Sequence, residues 1–440
     1  MNLILDYSKK VFNKIEELWQ NQTLLVYLLT AMLITLPMKH IIGSMTCILF
    51  LIISFIKAKK ADFLISKTLL FPIVLYVLMA LSLIWTINIQ FTISGLKKEV
   101  LIVLIPLAFC VLPKINRDIN DRVFNFYSFS MVFFALFYLA KALLKFANSA
   151  NTNVFFYHEL VTLKLNAIYV AVFASLGMFF FLVKKNKSIL DQIGFFILIV
   201  FIFLLSSKNI IICDFVLIMV YLFFFSSFSR KIKAATILVI ILITTSSVFF
   251  IKPVRERFMI EFQTIFVDSS LKKTTEENQK PIYNISLKQA WSQDKFQQND
   301  FFPGAAFRVF QIRIFKEMLQ EESIFFTGFG LDAAQIKIKE KIKEHNLHSS
   351  YGEFNFHNEY VQLFSELGFF GFLILVSMLF ITIRNGIRNK DFVHIAFSVT
   401  MIVLFLTESF LSRQRGIIFF IVIYCMFNSA DNAKEQKILK

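Results

Sequence analysis

The residues best suited to chemistry sit where a polar stretch meets a long apolar run: Phe356-His357-Asn358-Glu359-Tyr360, followed by Phe364-Ser365-Glu366-Leu367-Gly368-Phe369-Phe370-Gly371. Here a histidine, an amide and two carboxylates fall on the first turns of an expected membrane helix. His357, Glu359 and Glu366 cannot all face lipid, because charge held in hydrocarbon is costly. An imidazole titrates near neutral pH, so it can take the proton of an attacking hydroxyl while a neighbouring carboxylate orients it. A histidine at such a junction can equally do no more than satisfy a helix N-terminus. The other histidines, His40, His158, His345, His348 and His394, have no comparable setting and read as structural or solvated.

Four cations are the second group of interest. Lys208 lies in Leu204-Leu205-Ser206-Ser207-Lys208-Asn209, a polar nick between two apolar runs, where a snorkelling lysine is the plain alternative. Arg308 precedes Arg313 and Lys316 on one helical segment. Arg413 and Arg415 lie in Thr407-Glu408-Ser409-Phe410-Leu411-Ser412-Arg413-Gln414-Arg415-Gly416, which alone reads as a charged turn. Brought together on one side of a membrane, Lys208, Arg308, Arg413 and Arg415 would form a fixed positive cluster able to hold a diphosphate. The sequence has no Gly-rich phosphate loop with a following Lys-Ser or Lys-Thr, and no Asp-x-Asp pair on the expected outward side. An ATP-driven pump and a metal-dependent nucleotide-sugar transferase are thereby disfavoured, and no metal ligand set is assigned.

The elements that must position these residues follow from composition. Of 440 residues, 57% are hydrophobic and 17% charged, against about 45–50% and about 25% in a typical soluble domain. With a mean hydropathy of +0.66, the chain is expected to be an all-α, polytopic integral membrane protein, and a soluble enzyme is excluded. The formal net charge is +16, yet Lys and Arg fall mostly in short gaps between apolar runs, so the basicity reports topology and implies no nucleic acid partner. Cys47, Cys110, Cys213 and Cys425 lie inside apolar runs without metal-ligand spacing and read as small core hydrophobes.

Apolar runs predict about twelve transmembrane helices near 23–37, 41–56, 68–85, 100–112, 123–144, 166–183, 189–205, 210–228, 234–251, 360–383, 392–407 and 417–427. Lysine and arginine clusters at 57–60, 114–122, 184–187, 230–233 and 384–390 fall on alternate connections, which places both termini in the cytoplasm. The expected organisation is a cytoplasmic lead-in at 1–22 rather than a signal peptide, transmembrane helices one to nine over 23–251, a long periplasmic loop over 252–356, helices ten to twelve over 357–428, and a cytoplasmic tail at 429–440. A loop of that length is expected to be partly helical, with helices over 307–319 and 333–345 parted by Gly328-Phe329-Gly330. Its polar segment 268–300 is expected to be poorly ordered.

With these residues in place, the sequence resembles the O-antigen ligase and O-antigen polymerase superfamily of bacterial envelope glycosyltransferases. The resemblance is carried by Trp85-Thr86-Ile87-Asn88, Ser206-Ser207-Lys208, Arg308 ahead of Gly328-Phe329-Gly330, His357-Asn358-Glu359 running into Ser365-Glu366-Leu367-Gly368-Phe369-Phe370-Gly371, and the tail from Glu408 to Gly416 with Phe419-Phe420. It implies transfer of a glycan from undecaprenyl diphosphate to a sugar hydroxyl on the periplasmic face of the bacterial inner membrane. His357 would be the general base, with Glu359 or Glu366 orienting it. Arg308 and Lys208, with Arg413 and Arg415, would meet the diphosphate charge in place of a metal. Members of the family commonly have arginine where this chain has Lys208, and lysine keeps the charge while losing the bidentate fork. Direct attack would invert the anomeric centre, and no cofactor is needed because the donor is already activated.

The implied partners are the undecaprenyl-diphosphate-linked glycan donor, a lipid A-core or growing-glycan acceptor, and membrane lipid. A ligase onto lipid A-core is preferred. A polymerase of repeat units shares the same motifs, and a protein O-glycosyltransferase differs only in acceptor. A flippase for the same lipid-linked glycan is the alternative from another class, but transporters commonly show internal repeats and helices broken at mid-membrane.

Overall fold

The computed structural model describes residues 17, 19, 22–58, 66–113, 115–162, 165–227 and 282–429, with scattered residues between 229 and 272. The expected N-terminal lead-in, the 234–251 crossing and the C-terminal tail lie wholly or largely outside the described residues.

Apolar sequence becomes helix almost throughout, since a backbone in lipid can satisfy its polar groups only internally. The described bundle contains α1 (Thr23–Ile34), α2 (His40–Ile56), α3 (Lys67–Leu81), α4 (Ile89–Glu99), α5 (Leu101–Cys110), α6 (Arg117–Ser149), α7 (Ala167–Val183), α8 (Ile189–Leu204) and α9 (Lys208–Val220). After the long connection come α13 (Glu359–Arg388), α14 (Phe392–Phe405) and α15 (Gln414–Asn428). Among the described residues, four helical stretches are long and apolar enough to cross a membrane: Lys67–Ile84, Arg117–Ser149, Lys208–Phe225 and Glu359–Arg388. Six further apolar helices are shorter.

Starts are set by side-chain caps. Asn88, Asn116, Asn166 and Asn358 each accept a hydrogen bond from a backbone N–H in the first turn that follows, and Ser188 forms a capping box with Asp191. Between helices, polar side chains act as ties where apolar surfaces alone give little preference. Tyr127 Oη donates to the Phe173 carbonyl at 2.7 Å, Tyr424 Oη to Thr68 O at 2.8 Å, and Asn385 Nδ2 to Asn428 Oδ1 at 2.8 Å. All four cysteines are buried.

Two elements depart from the periodicity reading. The connection before the fourth expected crossing is itself a helix, α4, whose mixed polar and apolar sequence hid it from a search for apolar runs. The fifth expected crossing at 123–144 is the middle of the 33-residue α6, which is extended at both ends by more polar residues.

The long connection folds on its own core. Strands β1 (Ser270–Lys272) and β2 (Ile282–Asn284) pair antiparallel, and α10 (Leu287–Ser292), α11 (Gly304–Glu321) and α12 (Ala334–Glu344) follow. Phe296, Phe302, Phe310, Ile314, Ile338 and Phe356 are among its buried core residues. Part of the polar segment expected to be poorly ordered is therefore built in: Ile285, Ala290 and Phe296 are buried, whereas residues 273–281 lie outside the described residues. Arg313 serves this unit internally, donating to Asp294 and Glu317 at 2.9 Å each. On α12, Lys341 is nearly buried, which disfavours its charge, but ion pairs with Glu321 and Glu344 outweigh that and hold its pKa above the usual lysine range.

Gly328-Phe329-Gly330 locks this unit to the bundle. Phe329 N donates to Ser365 O at 2.8 Å, Gly330 N to Glu366 O at 2.9 Å, and Phe369 N to Phe325 O at 2.8 Å. On the other side Ile87 N donates to Phe329 O at 3.0 Å, and Thr92 Oγ1 donates to Leu331 O at 2.9 Å. The close approach explains two glycines. Gly328 and Gly368 have φ of 66° and 67°, and a Cβ at either would run into the carbonyl of Glu366 or Phe326 respectively. At Gly368 the α13 helix is kinked, so that residues 359–367 form a separate segment packed against the unit built from the long connection.

Candidate active site

Helix ends converge on a cavity of about 1030 Å³. The connection after α6, the start of α7, the start of α13 and the 407–415 turn between α14 and α15 all contribute to its lining. His357, Glu366, Glu408, Arg413 and Arg415 are on its wall, as are Asp332 and Lys98 from the α4 side.

His357 reaches this wall through an unusual backbone. Its φ is 45°, in the left-handed region that side chains rarely occupy, and its N–H donates to Asn355 Oδ1 at 3.2 Å. Asn358 then caps α13, accepting from Val361 N, and is bound in turn by the 406–409 segment: its Nδ2 donates to Leu406 O at 3.2 Å and its N–H to Ser409 Oγ at 3.3 Å. This fixes the His357 ring near Phe354 and Phe307, with centroids 5.7 and 6.2 Å away.

The ring faces Glu408. His357 Nδ1 is buried without a hydrogen-bond partner, and Glu408 Oε2 lies 3.6 Å from it. The second Glu408 oxygen accepts from Arg308 NH2 at 2.9 Å, while Arg308 Nε donates to Thr407 O at 2.8 Å and NH1 to Gly304 O at 3.0 Å. Helix α11 and the 407–408 turn are thus joined by one guanidinium, and the Glu408 side chain is only 7% exposed. A carboxylate so buried needs its cation, because an unpaired buried charge is strongly destabilising.

The other expected residues are placed differently. Glu359, two positions after His357, turns away from it: its Oε2 accepts from Leu411 N at 2.7 Å, and Phe410 N also bonds it, so it closes the turn before α15. Glu366 is on the cavity wall and accepts from Gln362 Nε2 at 2.5 Å. Neither carboxylate is hydrogen-bonded to His357. Arg413 is exposed at the cavity, and Arg415 lines it while donating to Met38 O at 2.6 Å. Arg308 sits behind Glu408 rather than on the lining, and Lys208, at the first position of α9, is also not among the lining residues. Glu408 is the functional candidate that the sequence reading passed over, since it stands 51 positions from His357 within what looks like a charged turn.

Residues 193–376 match the family model described as O-antigen ligase. Over this segment the chain is similar to the O-antigen ligase family. The matched O-antigen ligase segment contains Lys208, Arg308, His357, Glu359 and Glu366, and it stops before Glu408, Arg413 and Arg415. No curated protein matches the chain. Together with the apolar helices, this match supports a membrane protein of the glycosyltransferase type, with lipid-linked glycan and polysaccharide as the general class of partner.

Proposed function

We propose that the chain is a metal-independent, inverting glycosyltransferase that moves a glycan from undecaprenyl diphosphate to a sugar hydroxyl in the cavity at His357. The observation that carries this reading is the approach of Glu408 Oε2 to His357 Nδ1 at 3.6 Å on a wall shared with Arg413 and Arg415. In this reading about twelve spans place the cavity on the periplasmic face of the bacterial inner membrane.

The chemistry follows from the placement. The Nδ1–H tautomer pointing at Glu408 leaves Nε2 to accept the acceptor hydroxyl's proton as its oxygen attacks the anomeric carbon. The bond from that carbon to the diphosphate oxygen breaks with its electron pair, and Arg413 and Arg415 stabilise the charge arriving on the leaving group. The Glu408 carboxylate stabilises the imidazolium formed, as a positioned acid does in other hydrolytic and transfer sites. Arg308, expected at the diphosphate, is assigned mainly to holding Glu408 and adds to the positive field. Lys208 would act only at longer range. Glu366 and Asp332 offer acceptors for sugar hydroxyls on the opposite wall.

A ligase onto lipid A-core is the preferred member of the class. Deleting the gene in its host and resolving the surface glycolipid by electrophoresis tests it. Core lacking attached glycan, with finished polymer left on its lipid carrier, is the expected result. Core capped by a single repeat would assign a polymerase instead, and unglycosylated periplasmic proteins beside unchanged glycolipid would assign a protein acceptor.

A further inference from the structure

The opposite end of the bundle holds a second, larger cavity of about 1270 Å³. Helices α7 and α15 each line both cavities, α7 with Tyr169 and Val183 and α15 with Arg415 and Phe427, so the two lie at opposite ends of the bundle. Three separate connections bring cations to this one: Arg117 and Arg122 at the start of α6, Lys184, Lys185 and Lys187 after α7, and Lys390 after α13. Against them stand Asp121 and Asp391 on the wall. A topological bias alone explains an excess of lysine and arginine in such connections. It does not explain their convergence around a shared hollow.

Asp391 and the nearby Asp191 already have partners. Asp391 caps α14 by accepting from His394 N at 3.2 Å, and Lys184 pairs at 2.7 Å with the neighbouring Asp191. Lys187 Nζ donates to the Leu182 carbonyl at 2.6 Å, and Arg122 donates to Thr23 Oγ1 at 3.4 Å. Among the described residues neither Lys185 nor Lys390 pairs with a carboxylate. Burial lowers the pKa of the Lys187 ammonium, with Asp191 opposing the shift, and a bound anion would relieve that penalty. Beyond the cations the wall turns aromatic: Phe124, Phe180, Phe392 and Phe427 line the depth, and the exposed Phe126 and Phe225 continue it toward the outer surface of the bundle.

We propose that this cavity binds an anionic phospholipid, its headgroup phosphate among Lys185, Lys187 and Lys390 and its acyl chains along the phenylalanines. A phosphate needs the cations, but a soluble phosphorylated compound gains nothing from the aromatic depth that leads to the lipid-facing surface. Basic pockets between helices are a known chemistry for lipid headgroups, and each lysine near such a charge is worth roughly a fivefold factor in affinity.

Delipidated full-length protein in detergent, titrated with phosphatidylglycerol or with phosphatidylcholine of the same chains and read by native mass spectrometry, tests the site. Phosphatidylglycerol should bind at least about tenfold more tightly. The combined Lys185→Gln, Lys187→Gln and Lys390→Gln variant should weaken it on the order of a hundredfold, while the corresponding triple arginine variant retains it. Equal binding of the two lipids, or unchanged phosphatidylglycerol binding in the glutamine variant, would overturn the proposal. So would displacement of the lipid by millimolar inorganic phosphate, which would assign the site to a free phosphate compound. Loss in the arginine variant as well would show that charge is not what holds the lipid, and would likewise overturn it.

Discussion

Glu408 faces His357 across 3.6 Å and is itself held from behind by Arg308 at 2.9 Å. Three segments far apart in the chain therefore meet at one carboxylate, and the site is built from the α11 helix, the start of α13 and the α14–α15 turn together. Glu408→Gln keeps the shape but removes the charge that would stabilise an imidazolium. We expect transfer to fall by on the order of 10², with Glu408→Asp intermediate, measured as turnover of purified protein with a polyprenyl-diphosphate glycan. Wild-type turnover in Glu408→Gln would leave the pairing without a catalytic role.

Arg308 distinguishes two roles that the sequence could not. If its function were only to offer positive charge to a diphosphate, Arg308→Lys would keep much of the activity. Because Arg308 holds the Thr407 carbonyl, the Gly304 carbonyl and Glu408 with three separate nitrogens, a single ammonium cannot replace it. Arg308→Lys and Arg308→Ala should both lose activity by at least about tenfold and lower the thermal midpoint in detergent. Near-normal activity of Arg308→Lys with reduced affinity for the donor would return Arg308 to the diphosphate.

Much of this was legible in the sequence, and the misses have physical causes. Most apolar runs became helices within a few residues, because burial in lipid leaves the backbone no other choice. The Gly328-Phe329-Gly330 and Glu366-Leu367-Gly368 motifs also stood out, and they prove to be two strands of backbone packed against each other. The carboxylate that stands nearest the His357 ring, Glu408, is neither of the two expected from the sequence. Glu359 follows His357 by two positions, and residues two apart at a helix start project in different directions. Glu408 gives no local sign of its partner, since only tertiary structure brings the turn before α15 over the start of α13. Helix α4 was hidden for a different reason: it lies against the unit built from the long connection at Leu331, so its sequence is half polar.

The interlock of the two units gives a stability prediction. Alanine at Gly328 or at Gly368 combines a left-handed backbone with a collision against a main-chain carbonyl, so each should destabilise by roughly 2–4 kcal/mol. Thermal unfolding in detergent should show a lower midpoint for both, whereas alanine at Gly43, where a Cβ meets only Thr35 Oγ1 at 3.9 Å, should shift it little. Equal behaviour of all three would mean that the backbone contact does not hold the units together.

Cation placement orders three variants. Arg413 lines the cavity and Lys208 does not, so Arg413→Ala should reduce use of the lipid diphosphate by more than Lys208→Ala does. Initial rates against donor concentration would show it, and a larger loss in Lys208→Ala would put the diphosphate elsewhere. Lys208→Arg should be tolerated, and addition of a metal chelator should leave the rate unchanged.

Orientation is open to a direct check with single cysteines at Glu353, on the wall of the His357 cavity, and at Lys390, on the wall of the second cavity, in a chain with its buried cysteines replaced. An impermeant maleimide added to intact spheroplasts should label position 353 and spare 390. The reverse pattern would put the proposed chemistry on the cytoplasmic face.

If His357 takes the acceptor proton, its loss is read in the rate of transfer by purified, membrane-inserted His357→Ala. Its ring makes no hydrogen bond that the fold depends on, so the variant should insert and unfold like the parent. Transfer of glycan from the lipid diphosphate to a hydroxyl acceptor should fall by on the order of 10² to 10⁴. Transfer at the parent rate by a correctly inserted His357→Ala protein would contradict the account.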